Sequence, residues 1–117
     1  MGGIRGRLLI GGMVLRNLEG AVDHERIELE SGWLGFLWID PPHHECLELG
    51  RTYRLETDDE RAGQIEVTGI ECVPGQRRLR VVIRGRSPLK WSPWAHEFHH
   101  ETVIAPLPVS LSLVGDA

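Results

Sequence analysis

Along residues 63–85, GQIEVTGIECVPGQRRLRVVIRG, apolar and polar positions alternate in two runs separated by Pro74-Gly75. A period of two marks a strand with one buried face, and Pro followed by Gly suits a tight turn, because Pro presets its φ and Gly accepts a positive one. The first run breaks phase: Ile65 and Val67 share a face, whereas Ile70 and Cys72 fall on the other. One extra residue at Thr68-Gly69, a β-bulge, restores the phase. The bulged register predicts Ile70 opposite Leu79, Val67 opposite Val81 and Ile65 opposite Ile83 on the buried side, with Glu71 meeting Arg78 outside. Each apolar cross-strand pair contributes about 0.2–1 kcal/mol, so the buried side sets the register.

The same pattern extends outward. Residues 51–57 alternate Tyr53 and Leu55 against Arg54 and Glu56, and Asp58-Asp59-Glu60 makes a turn into the hairpin, so residues 51–84 read as a three-stranded meander. Further strands are expected at 4–10, 13–18, 26–30, 33–39, 101–105 and 109–114. Ile27 and Leu29 alternate in the third of these. Residues 33–39 are apolar on both faces, which implies cover on both sides or an outer face that is an interface. No segment before residue 90 shows a convincing helical period. Fourteen glycines and seven prolines punctuate the chain. The pattern predicts a single mainly β domain over residues 1–117, a small antiparallel β-barrel or sandwich, with at most one short helix near residues 93–104.

Composition narrows the function. The 117 residues carry a net charge of −4, which argues against general nucleic-acid binding. No apolar run approaches the roughly 18 residues of a membrane helix, and the start MGGIRGRLLIGG lacks the features of a signal peptide; a cytoplasmic protein is expected. Twelve arginines against the single Lys90 are typical of a GC-rich bacterial genome. Two cysteines, Cys46 and Cys72, make no disulfide framework. Phosphate-binding and nucleophile-elbow motifs are absent.

Two histidine clusters carry the only candidate chemistry. His96, Glu97 and His100 fit H-E-x-x-H, in which two histidines one helical turn apart hold zinc and the glutamate activates its water. The motif requires a helix. Ser92 as cap, Pro93 at the first turn and Pro106 as stop permit one, while Val103 and Ile104 favour a strand that would turn Glu97 away from both histidines. A milder metal reading takes PPHHEC at 41–46 as extended, so that His44 and Cys46 point one way and complete, with His96 and His100, a tetrahedral structural zinc site. Zinc is the one cofactor these residues suggest; the bland reading is solvated histidines and no cofactor.

Six of the seven aromatic residues, among them Trp33, Phe36, Trp38, Trp91 and Trp94, fall in two short regions. They serve either as core volume or as a partner surface, since Trp is enriched at binding hot spots. The expected function is a non-enzymatic binding or adaptor domain acting through a protein partner or self-association. The alternating Leu107, Val109, Leu111 and Leu113 favour strand pairing with the chain's own sheet or with another copy. The alternative is a zinc-dependent hydrolase with Glu97 as general base, or a domain with structural zinc.

Overall fold

The computed structural model describes residues 1–92. They form seven strands: β1 (Gly2–Ile10), β2 (Met13–Val22), β3 (Leu34–Ile39), β4 (Thr52–Thr57), β5 (Arg61–Glu71), β6 (Leu79–Gly85) and the two-residue β7 (Lys90–Trp91). All pairings are antiparallel, and β4-β1-β2-β3-β6-β5 closes on itself through β4–β5. The fold is therefore a six-stranded antiparallel barrel, with β7 beside the start of β5. The predicted helix near 93–104 and the strands at 101–105 and 109–114 lie outside the described residues.

Inward positions fill the barrel with Leu8, Val22, Leu37, Leu55, Ile65, Val67, Val81 and Ile83, all fully buried. Each such side chain contributes roughly 1.5–3 kcal/mol of burial. Residues 23–33 cap one end, where Ile27 and Trp33 are buried and the Trp33 indole N–H donates to the Ser87 carbonyl at 3.0 Å. Residues 40–51 cross the other end from β3 to β4. Their buried Leu47 plugs it, and the Glu48 N–H donates to the Tyr53 hydroxyl at 2.9 Å.

The 63–85 hairpin shows where local reasoning succeeds and stops. The bulge is present, with the register shifting between Val67 and Gly69. The pairs are Ile70 with Val81, Val67 with Ile83, Ile65 with Gly85 and Glu71 with Arg80, two residues beyond the expected register. A slide of two keeps every side chain on its face, so the buried pattern does not resist it. The Pro74-Gly75 turn does form: Gln76 N–H donates to the Val73 carbonyl at 3.0 Å and Gly75 has φ 79°. Arg77 and Arg78 then drop out of the ladder, which begins only at Leu79.

The strand expected at 26–30 is instead a pair of turns. Ile27 N–H donates to Asp23 O at 3.1 Å and Glu30 N–H to Arg26 O at 3.1 Å. These bonds, four residues apart, coil the backbone, so Ile27 is fully buried while Leu29 is 79% exposed. β2 also runs four residues past its expected end, to Val22. A bulge at Arg16-Asn17, with Asn17 at φ 56°, lets both Leu15 and Leu18 face inward despite their odd spacing.

On the outer side, Glu56 of β4 is completely buried between two guanidinium groups. Arg7 Nε and Arg54 Nε each lie 2.9 Å from one of its carboxylate oxygens. Arg7 and Glu56 are register partners, so this cluster sits on the β1–β4 seam that closes the barrel.

Candidate functional site

β3 is the strand whose two faces are both apolar. Its inward residues Leu37 and Ile39 are core, and its outward residues Phe36 and Trp38 are half-buried. Residues two apart on a strand share a face, and these rings meet edge to face with centroids 5.3 Å apart at 73°. The Arg78 guanidinium lies over Trp38 at 5.6 Å and that of Arg80 over Phe36 at 5.7 Å. Each arginine also holds a carboxylate: Arg78 pairs with Glu19 at 3.0 Å and Arg80 with Glu71 at 2.8 Å. The Arg78 hydrogen bond, with the positive charges of Arg5 and Arg78, holds the Glu19 carboxyl below its ordinary pKa.

The register turns this pair into a band. Ala21, Phe36, Val82 and Gly69 stand side by side across β2, β3, β6 and β5, and beside them run Glu19, Trp38, Arg80 and Glu71. An apolar row flanked by a charged one thus crosses the outside of the barrel. Arg80–Glu71 and Arg86–Glu66, each at 2.8 Å, give the outside of β5 and β6 a mixed-charge surface.

Next to the band, at the barrel end crossed by residues 40–51, lies a cleft of about 370 Å³. Leu15, Leu18 and Ile39 form its apolar side, and Arg16, Trp38 and Arg78 stand at its rim. Trp38 and Arg78 belong to both band and cleft.

The remaining aromatic residues separate. Trp33 is 1% exposed and its ring is core, so it offers no surface to a partner. Trp91 is 66% exposed but pairs with Arg61, whereas Trp38 neighbours Arg80 and thereby Glu71. Arg61 and Glu71 are the two ends of β5, so Trp91 and the Phe36–Trp38 pair sit at opposite ends of the barrel and form no single aromatic cluster. Trp94 lies outside the described residues.

His43–Cys46 is a 3-10 turn, not an extended segment. At about three residues per turn, positions two apart diverge, so alternation does not align His44 with Cys46 as expected. His44 Nδ1 is buried and has no hydrogen-bond partner among the described residues. No group of three or more metal-ligating side chains occurs among the described residues. His96, Glu97 and His100 lie outside them.

The arginine cover of Phe36 and Trp38 was missed from sequence. The only available signal was the doubly apolar β3, which marked an outer face needing cover without saying what covers it. No protein family, no curated protein and no solved structure matches the chain.

Proposed function

We propose that this barrel is a non-enzymatic binding or adaptor module that acts through a protein partner, or through self-association, on the outer face of β3 and β6. The observation that carries this reading is the outward Phe36–Trp38 pair, overlain by Arg78 and Arg80. Trp and Arg are among the residues that dominate binding hot spots, and this pair stands half-buried on the outer side of the sheet. Two free cysteines, Cys72 among them exposed, suit the reducing cytoplasm of the bacterial cell that the arginine-rich composition suggests. No helix among the described residues is long and apolar enough to cross a membrane.

Photo-crosslinking in cells, with the reactive side chain at Val82 beside Phe36, tests the proposal together with light scattering across a concentration series. The expected result is a discrete crosslinked protein, or a concentration-dependent dimer, lost on Trp38→Ser while the thermal transition is retained. A monomer at every concentration with no crosslinked product would sink the reading.

A further inference from the structure

Among the described residues, the barrel leaves an edge of β2 without a strand partner beside the cleft. β2 pairs with β3 only over residues 19–22, because β3 ends at Ile39. Met13, Val14, Leu15 and Leu18 pair with β1 on one edge, with Arg16-Asn17 bulged between them, and on the other edge of residues 13–18 no strand and no further backbone hydrogen bond is found among the described residues. Ile10 and Met13 flank the two-residue turn Gly11-Gly12 and face each other, which makes them a hydrogen-bonded pair. By alternation Leu8 and Leu15 form the next bonded pair. Val14 between them therefore directs its own N–H and C=O to the open edge. An unpaired edge of this kind is a template for an added strand.

We propose that an extended, acidic segment of a partner protein adds to this edge as a seventh barrel-side strand, pairing with Val14 and lying in the cleft between β2 and residues 39–43. This rests on the binding-module reading above and names the partner's chemistry. Side-chain alternation fits such a guest on both faces. Its inward residues meet Met13 and the edges of Leu15 and Leu18, which line the cleft. Its outward residues pass between Arg16 on one bank and Arg78, stacked on Trp38, on the other. Arg78 is already paired with Glu19, whereas Arg16 has neither an ion pair nor a side-chain hydrogen bond among the described residues. Among the described residues Asp40 is the one carboxylate that lines the cleft, on the bank away from β2. A segment alternating carboxylate and apolar side chains supplies the missing counter-charge to Arg16, the backbone partner to Val14 and the apolar filling in one strand. Trp38 and Arg78 make the cleft continuous with the outer band, so one partner engages both.

The test is a nitrogen-15 NMR titration of the full chain with a blocked heptapeptide, Glu-Val-Glu-Leu-Glu-Val-Glu, beside its lysine counterpart. Saturable shifts at residues 13–18 and in the Trp38 indole, with slowed exchange of the Val14 amide, are expected. Arg16→Glu should weaken binding at least tenfold. Val14→Pro should do the same, since it removes an edge donor the β1 ladder does not use; Arg16→Glu, an exposed substitution, keeps the test intact if the proline variant does not fold. Equal binding of the lysine peptide, no shifts at millimolar glutamate peptide, or shifts at residues 13–18 that grow with protein concentration alone (a second copy on the edge) would each overturn the proposal. Failure here with the Val82 crosslinks intact leaves the binding-module reading standing, whereas loss of both removes it.

Discussion

Gly85 ends β6 directly beneath the Trp33 indole, and a methyl group at that position would overlap the ring. The ring is pinned by the indole N–H bond to the Ser87 carbonyl and is fully surrounded, at 1% exposure. Gly85→Ala is therefore expected to cost about 1–3 kcal/mol, the range for overpacking a filled core. Gly12→Ala, which meets open space, should stay within about 0.5 kcal/mol, as surface substitutions do. Urea unfolding followed by far-ultraviolet circular dichroism compares the two, and equal midpoints would contradict the packing. Gly12 lies in the β1–β2 turn and Gly85 at the end of β6; what makes Gly85 intolerant is a ring contributed from 52 positions earlier in the chain.

At the scale of elements, the bulge at Thr68 was legible because it broke a phase that the hydrophobic pattern otherwise kept. Removing the extra residue should then cost little. Deletion of Thr68 leaves Ile65, Val67 and Ile70 facing inward on a regular strand, at a loss of about 1 kcal/mol for its hydrogen bond to Val82 O and the altered twist. Deletion of Glu66 forces either Ile65 or Val67 to the outside, at roughly 1.5–3 kcal/mol for each apolar side chain exposed. Denaturant midpoints of the two single-residue deletions should differ accordingly; if both unfold alike, the bulge is not a spare residue. The 26–30 segment was not legible for a related reason. Ile27 and Leu29 satisfy a strand period over only three positions, too short to exclude a coiled turn that buries one of them. The register of the 63–85 hairpin failed by two because faces, not partners, are what a period of two encodes. Its actual position follows Arg78, which leaves the ladder for Trp38 and Glu19 on elements far away in sequence.

For the whole molecule, closure depends on β4 reaching β1 across 49 residues, and Glu56 marks that seam. Removing the buried carboxylate takes a hydrogen-bonded counter-charge away from both Arg7 and Arg54. Because Arg7 and Arg54 retain some access to water, at 13% and 33% side-chain exposure, Glu56→Ala is expected to cost about 2–4 kcal/mol rather than the extreme of the buried-pair range. Calorimetric unfolding of the variant checks this, and an unchanged transition would mean that the seam is held by backbone pairing alone. The sequence by itself determined the class: short alternating runs cut by Gly and Pro bury one face each, and antiparallel strands with short connections are the way to do that. It also determined the bulge and the doubly apolar β3, since both are written in the order of neighbouring residues. Only the tertiary structure decided that the sheet closes, that Trp33 fills it while Phe36 and Trp38 stand outside under arginines, and that β3 pairs with β2 only over residues 19–22. Those outcomes depend on which strands meet, and strand partnership is fixed by the summed fit of side chains distant in the chain, which no local pattern contains.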